Sequence, residues 1–467
     1  MRRRALLAAL GTALTAGCAT TTPCASPDGD TAPADASEST TETDAGWPAP
    51  HRTPTNAGRA PPTHGPDGSE PPVAREWRLW EFTEEAERAR DDGDDEGSDG
   101  DGEGWDVGRL LQRSRFTSPV ADGERLFVAT GPRSLPVSDD DPRGGFLFAV
   151  DPATDRPAWT TRLAFGATGS PVRWDDRLVV PTSDGSVVVV DTADGTRRWS
   201  RSFDAPAGTP TVAGGQLFLG NADGHLRALG SDGRPCWSIH RGPLVGGIGL
   251  GRRPSARFKP AVDADHVYQL FVRDRGTGAI IAASRDDGDV VWATTFEADG
   301  LDARAPAVDG GTVYVPTGRT LRALDAATGT EEWRYAFGAV PTVSTPAVGD
   351  DRLFVCAKNV HALDAATGTE KWRFVNESTG RSLGGGRIPM EASPVVAGDT
   401  VYAGAGALDA ETGAKRWGDL GNDPESPYFA SGLDGVPTRE GPALTAAALS
   451  VVTQFGLLVR FTTEGEQ

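Results

Sequence analysis

The sequence predicts an all-β chain, an eight-bladed β-propeller of four-stranded antiparallel blades. From residue 118 onward one unit recurs, and each copy opens with a proline-containing apolar strand and closes with a tryptophan-bearing strand. Successive closing tryptophans are 38 to 55 residues apart, and a period near 40 with four short strands per unit is typical of a propeller. These tryptophans are Trp159, Trp199, Trp237, Trp292, Trp333, Trp372 and Trp417.

Each position in the unit suits its predicted role. Proline in the first strand lacks an N–H that an edge strand does not need, as in Thr345-Pro346. Apolar second and third strands suit burial between blades. Turns such as Asp325-Ala326-Ala327-Thr328-Gly329 offer a capping carboxylate and a glycine for positive φ. Each tryptophan is predicted to dock its blade against a neighbour.

The last unit, from Gly441, has two strand-like runs, residues 447–453 and 457–462, but no tryptophan strand. A matching strand, Arg75-Glu76-Trp77-Arg78, lies near the other end of the chain. We therefore expect residues 74–82 to form the outer strand of the eighth blade, with Trp77 docking it. That arrangement closes the ring and leaves no open sheet edge. The propeller would span residues 107–462, with a tail at 463–467.

The chain begins with three arginines and a short apolar run that ends at Cys18. Residues 1–17 are too short to span a bilayer and predict a cleavable export signal, of the Tat or the Sec type. The run before Cys18 resembles a lipobox, which predicts lipidation of Cys18; the alternative is an ordinary secretory signal. Residues 18–73 have few large apolar side chains and are predicted to be a disordered tether. The predicted location is the outer face of the cell membrane, with the lipid as the only membrane contact.

The net charge of -20 argues against nucleic-acid binding, which needs a basic surface. Residues 81–106 carry thirteen acids and two arginines, and residues 83–106 are predicted to be a disordered acidic insertion. Few lysines and many acids suit a halophile, although a GC-rich genome also favours arginine. Cys236 and Cys356 are predicted to be buried apolar residues without a disulfide. His225 and His361 are predicted to be satisfied third-strand residues.

The unit from Ala323 to Trp333, and the copies ending at Trp199, Trp372 and Trp417, resemble the pyrroloquinoline-quinone-like propeller repeat. That family includes quinone-dependent alcohol and glucose dehydrogenases and a propeller lipoprotein of the outer-membrane assembly machine. The resemblance implies eight blades. The alcohol-type dehydrogenases are similar in repeat but carry adjacent cysteines, whereas no two cysteines adjoin in this chain. Their calcium ligands have no counterparts that can be assigned residue by residue.

Long insertions at residues 131–144, 241–258, 376–391 and 420–440 are expected to crowd one face of the disc, because their loop types share a face. Two of them bring arginines near glycine-rich backbone, a pattern that suits anion binding. The alternative is that these arginines pair with the chain's abundant carboxylates. The candidate residues for ligand or partner binding are Arg252, Arg253, Arg257, Arg381 and Arg387.

The sequence therefore predicts a non-catalytic, surface-tethered binding or scaffold protein, monomeric and without cofactor or metal. Its arginine-bearing face would bind an envelope protein or an anionic ligand. The alternative is a quinone-dependent dehydrogenase of alcohols or sugars, which would require the quinone and calcium.

Overall fold

A computed structural model describes residues 49–66, 72–79, 114–132, 144–154, 156–240, 258–273, 277–297, 304–338, 343–375, 392–419, 443–445, 448–452 and 457–462. Every regular element of this part is a β-strand, and the strands form eight sheets of four core strands each. The predicted all-β class with four-stranded antiparallel sheets is confirmed. We number the sheets S1 to S8 in chain order. The described residues contain no helix long and apolar enough to cross a membrane.

The first strand of each sheet is short and almost fully buried, because its proline-led apolar residues face neighbouring sheets on both sides. We call these the inner strands. Inner strands lie side by side along S1 to S5 and in S6 and S7, and that of S8 lies beside that of S1. They are β4 (Val120–Ala121), β8 (Val172–Trp174), β12 (Thr211–Ala213), β16 (Ala261–Val262), β20 (Ala307–Asp309), β24 (Ala347–Val348), β28 (Val395–Ala397) and β32 (Ala443–Thr445).

The second strands pair antiparallel with the inner strands, and their apolar residues share the core with those of the third strands. They are β5 (Leu126–Pro132), β9 (Arg177–Pro181), β13 (Gln216–Gly220), β17 (His266–Arg273), β21 (Thr312–Thr317), β25 (Arg352–Ala357), β29 (Thr400–Ala403) and β33 (Ala448–Val452).

The third strands follow in the same antiparallel order. They are β6 (Gly145–Val150), β10 (Ser186–Asp191), β14 (His225–Leu229), β18 (Thr277–Ser284), β22 (Thr320–Asp325), β26 (Asn359–Asp364), β30 (Ala405–Asp409) and β34 (Leu457–Thr462).

The fourth, outer strands carry the tryptophans and the most exposed residues. Seven of them follow the third strand of their own sheet in the chain. The eighth, β2 (Val73–Arg78), precedes all the sheets and completes S8 by pairing antiparallel with β34, with Trp77 opposite Leu458. A short strand, β3 (Ser114–Phe116), adds to the edge of β5. The outer strands are β7 (Pro157–Leu163), β11 (Arg197–Ser202), β15 (Pro235–His240), β19 (Val290–Glu297), β23 (Glu331–Ala336), β27 (Glu370–Phe374), β31 (Lys415–Asp419) and β2 (Val73–Arg78).

The hydrophobic core lies between neighbouring sheets rather than at one centre. One buried cluster joins Phe127 of S1 to Leu178 of S2, and another joins Tyr314 of S5 to Leu353 of S6. A further cluster contains Tyr402 of S7, residues of S8 and Phe148 of S1, so S8 packs between S7 and S1. Repeated interfaces of this kind allow a chain this long to bury a core that no single two-layer domain provides.

Two sequence predictions are wrong in part. Residues 49–66 of the predicted disordered tether are folded: they pack on the inner strands, and β1 (Arg59–Ala60) pairs parallel with β28. Their main contacts are made by backbone carbonyls rather than by apolar side chains. Such contacts cannot be predicted from amino-acid composition. Cys236 is disulfide-bonded, whereas Cys356 is a free, buried thiol. The prediction for Cys236 considered pairing with Cys356 alone.

Candidate functional site

The sequence-predicted binding face lies outside the described residues. Arg252, Arg253, Arg257, Arg381 and Arg387 all fall there, as do Cys18 and the acidic insertion at residues 83–106. These assignments therefore stay predictions.

The described residues contain a different site, formed by the inner edges of S4 to S7. Residues 49–66, which we call the inner segment, pass across these four sheets in turn. Four backbone amides, one from each sheet, donate hydrogen bonds of 2.7 to 2.9 Å to its carbonyl oxygens. The pairs are Val262 N with Pro54 O, Val308 N with Thr55 O, Val348 N with Ala57 O, and Val396 N with Gly58 O. The segment therefore satisfies inward-facing donors that the sheets leave open at their inner edge.

Asn56 clamps the middle of the inner segment between two sheets. Its side chain is fully buried, and Nδ2 donates to Pro260 O of S4 at 3.1 Å and to Pro306 O of S5 at 2.9 Å. Its φ of 58° is left-handed, a conformation that asparagine tolerates better than most residues. This kink turns the Asn56 side chain toward S4 and S5, while the flanking carbonyls of Thr55 and Ala57 still accept hydrogen bonds from the sheets.

Two glycines let the inner segment approach the sheets closely. A Cβ on Gly58 would lie 3.2 Å from both the Ala347 Cβ and the Pro394 carbonyl oxygen, and a Cβ on Gly65 would lie 2.3 Å from the Tyr402 hydroxyl. Both glycines also have positive φ. The Tyr402 hydroxyl donates to Pro66 O at 2.9 Å. A Cβ at Gly65 would displace the Tyr402 side chain, and a Cβ at Gly58 would require Ala347 or Pro394 to shift slightly.

Charged side chains bind the inner segment to the sheets near Pro50 and at Arg59. Lys259 is buried, and its Nζ donates to Pro50 O at 2.6 Å. Arg59 donates from Nε to Val348 O at 3.0 Å and forms an ion pair with Asp350 at 3.0 Å. Burial, together with the nearby Lys259 charge, lowers the pKa of His51 to about 3, so this imidazole is neutral at pH 7. The inner segment is thus seated by specific polar contacts along its length.

Sequence reasoning missed the inner segment because its composition is that of a linker. The available signal was local: an Asn-Ala-Gly run in which two residues readily adopt a left-handed φ, flanked by Pro54 and Pro61. Such a run predicts a defined backbone conformation, but it does not indicate which surface of the protein the segment packs on.

The blade tryptophans form a second recurrent site, at the turns between third and outer strands. In five sheets the indole N–H donates to a turn carbonyl of the next sheet, at 2.8 to 3.0 Å. The pairs are Trp159 with Thr192, Trp237 with Arg285, Trp292 with Ala326, Trp333 with Ala365, and Trp372 with Ala410. Trp199 packs on the Gly233 turn, but its N–H has no acceptor among the described residues. Trp77 and Trp417 are buried within the cluster around S8.

Two histidines in third strands lie in clusters of polar and aromatic side chains. His361 Nδ1 lies 2.9 Å from Glu370 Oε2, which also accepts from the Tyr335 hydroxyl at 2.6 Å, and Arg373 binds the same carboxylate. His225 Nδ1 lies 2.9 Å from Asp223, and its ring stacks on His240 with centroids 4.3 Å apart. Burial lowers the pKa of both His361 and His225. Since these rings face structural partners, they form no nucleophile–base pair of the kind that acyl transfer needs.

The described part of the chain contains no group of three or more His, Cys, Asp or Glu side chains that could hold a metal ion. The inner edges of four sheets are covered by the chain's own backbone.

Comparison with known proteins supports the repeat family. The family model described as outer membrane protein assembly factor BamB matches residues 78–238, 143–279 and 276–425, which together cover more than half of the chain. The factor of that name from Marinobacter adhaerens is 31% identical over 149 residues, 32% of this chain and 34% of the relative. The serine/threonine-protein kinase AfsK of Streptomyces coelicolor is 30% identical over 245 residues, 47% of this chain and 27% of the relative.

The matched regions span 38%, 34% and 64% of the length of three assembly-factor relatives. Among solved structures, the quinohemoprotein alcohol dehydrogenase from Comamonas testosteroni has a TM-score of 0.61 at 12% identity, covering 92% of this chain and 82% of that one. At this identity the likeness concerns the fold alone. The resemblance predicted from the repeat is confirmed, and the chain belongs to the family of the outer membrane protein assembly factor BamB, with its pyrroloquinoline-quinone-like propeller repeats.

Proposed function

We propose that the eight sheets are the blades of one closed propeller and that the protein is a non-catalytic, tethered scaffold of the cell envelope. The side-by-side inner strands, the pairing of β2 with β34, and the packing of S8 between S7 and S1 support a closed ring. The inner edges would then line a central channel, with the inner segment on the wall of blades S4 to S7.

One observation carries the non-catalytic assignment. Four consecutive inner strands direct their amides to the chain's own backbone, so the surface where a propeller would receive an axial cofactor is covered on that side. What a rigid propeller then offers is its faces, which hold loops in fixed positions for recognition. The relatives named as assembly factors support a scaffold role of this type.

The proposed partner is another envelope protein or an anionic ligand, bound on the face that carries the long loops. Arg252, Arg253, Arg257, Arg381 and Arg387 are the proposed contacts, because guanidinium groups near exposed backbone amides suit anionic groups. The proposal places the protein outside the cytoplasm as a monomer, with lipid on Cys18 as its membrane anchor. A Cys18→Ser variant would then be released from membranes into the soluble fraction.

Cross-linking in native membranes at the native salt concentration, followed by capture of the full chain, tests the scaffold role. We expect a defined envelope partner, and we expect Arg252→Ala with Arg253→Ala to reduce its recovery at least fivefold without changing the melting temperature. The matched control is Arg234→Ala, an exposed arginine in a turn between a third and an outer strand. Recovery unchanged by the double substitution would remove the arginine face from the proposal.

The dehydrogenase alternative is favoured only by the fold likeness. Adding pyrroloquinoline quinone with calcium to the purified chain distinguishes the two functions. We expect no shift in quinone absorbance and no dye-linked oxidation of alcohols or sugars, and either signal would overturn the non-catalytic assignment.

A further inference from the structure

The inner segment lies outside the repeating four-strand pattern of the sheets, yet it contacts four of them. Its position depends on backbone carbonyls at residues 54, 55, 57 and 58, and each meets an amide from a different sheet. Main-chain hydrogen bonds to a sheet edge, combined with a few shape-specific side-chain positions, are how proteins bind extended peptides. The contacts are therefore those of a ligand on a receptor.

We propose that the inner edges of S4 to S7 are a binding site for a peptide with an Asn-x-Gly core, bound through its main-chain carbonyls, and that the inner segment is its resident, exchangeable ligand. This inference rests on the closed ring of the proposed function, because the inner edges must face a channel. A peptide with the same chemistry, supplied by another chain, would bind after the inner segment leaves.

The specificity follows from three positions. Asn56 fits because its amide reaches two proline carbonyls on different sheets, a contact that an aliphatic side chain lacks. Gly58 fits because a Cβ there would crowd Ala347 and Pro394, and Gly65 fits because a Cβ would overlap the Tyr402 hydroxyl. Apart from the Arg59 side chain, which binds Val348 O and Asp350, the main remaining contacts use backbone carbonyls of the segment and accept many sequences. The site thus selects a spacing of asparagine and glycines rather than a long motif.

Parts of the bound conformation of the inner segment are energetically unfavourable. For this reason we infer exchange rather than permanent attachment. His51, Arg52 and Asn56 all have positive φ, an unfavourable conformation for residues with a Cβ. The buried His51 Nδ1 and Asn56 Oδ1 have no hydrogen-bond partner among the described residues. These terms oppose the four main-chain bonds and lower the net affinity, which favours release when a competing peptide is present.

The test uses the full chain with a protease recognition sequence in place of residues 67–71, which connect the inner segment to β2. Cys236 is disulfide-bonded. After folding, the chain is therefore cut in the presence of a reductant, so that no disulfide bond holds the two fragments together. A fluorescent synthetic peptide of residues 49–66 is then added, and binding is followed by anisotropy and by co-elution in gel filtration.

We expect the uncut chain to exclude the peptide and the cut chain to bind one molecule of it. An Asn56→Ala peptide should bind at least tenfold more weakly, and a Gly58→Val peptide should not bind at all. Intrinsic tryptophan fluorescence should keep its folded spectrum throughout, since the segment takes no part in the pairing among the four core strands of any sheet.

Three results would overturn the inference: no uptake by the cut, folded chain; equal uptake of all three peptides; or unfolding of the blades on cutting. The outcome is separable from that of the scaffold proposal. Capture of an envelope partner is measured with the uncut chain and does not require release of the inner segment.

Discussion

The indole of Trp333 lies directly against Gly368, in the turn of the next sheet. A Cβ on Gly368 would fall 2.4 Å from Trp333 Cε3, and the indole N–H donates to Ala365 O of the same turn at 3.0 Å. The turn that presents this carbonyl needs a positive φ of 68° at the glycine. One turn thus supplies both a flat surface and an acceptor, and it couples neighbouring sheets.

We expect Gly368→Ala to destabilise the protein strongly, because the new methyl group overlaps a packed ring and the backbone is left-handed. Left-handed φ alone costs about 1 kcal/mol for alanine, and overpacking adds about 1 to 3 kcal/mol. Denaturant unfolding followed by tryptophan fluorescence measures the loss. Gly311→Ala is the matched control, since Gly311 has φ 81° and a Cβ there would meet no atom within 4 Å. Equal losses for the two variants would show that ring contact contributes nothing.

A tryptophan pair isolates the contribution of the indole hydrogen bond. Trp372 donates to Ala410 O at 2.9 Å, whereas the Trp199 N–H has no acceptor among the described residues, although both rings pack on a turn glycine. We expect Trp372→Phe to cost about 1 kcal/mol more than Trp199→Phe in free energy of unfolding. Thermal and denaturant midpoints of the two variants provide the measurement. A larger loss for Trp199→Phe would contradict the assignment.

The repeating sheets were predictable because their signals are local and recur. Proline-led strands, Asp-x-x-x-Gly turns and tryptophans recur at one spacing, so each copy supports the interpretation of the others. The strand around Trp77 was predictable for the same reason, because it matches the tryptophan strand that the last unit lacks. The structure pairs residues 73–78 with β34.

The candidate site was not predictable, because its contacts are between main-chain atoms distant in sequence. Asn56 and Pro260 are 204 residues apart, and no periodic pattern relates them. Residues 49–66 have the composition of a linker and fold only because four sheets each offer an inward-facing amide. Composition indicates the apolar area that a segment can bury, and this segment is held mainly by polar contacts.

The cluster around Glu370 predicts acid sensitivity at one sheet interface. Hydrogen bonds from Arg373, Tyr335 and His361 lower the pKa of Glu370 to about 2, against the opposing effect of burial. A carboxylate with a depressed pKa stabilises the fold above its ordinary pKa near 4.5, and that stabilisation is lost as pH falls toward 2.

We therefore expect Glu370→Gln to lower stability at pH 7 and to flatten the fall in stability between pH 4.5 and 2. Unfolding midpoints across this range provide the measurement. Glu331→Gln, at the corresponding position of S5, is the comparison, because Glu331 also forms an ion pair, with the half-buried Arg322. A parallel pH profile for wild type and Glu370→Gln would show that this carboxylate is not a source of the acid sensitivity.

His51 predicts a separate loss of stability at mildly acid pH. Its pKa falls from an ordinary 6.5 to about 3 because burial and Lys259 disfavour the imidazolium. Between these values the unfolded chain binds a proton that the folded chain does not, so stability falls as pH decreases from 6.5, by at most about 1.4 kcal/mol per pH unit. Protonation therefore favours the state in which the inner segment has left its buried position.

His51→Asn removes the titration and keeps a residue that tolerates the φ of 62°. We expect this variant to match wild type above pH 7 and to be the more stable protein at pH 4.5, as measured by thermal unfolding at each pH. A wild-type profile that is flat from pH 7 to 4.5 would mean that the His51 ring is hydrated rather than buried.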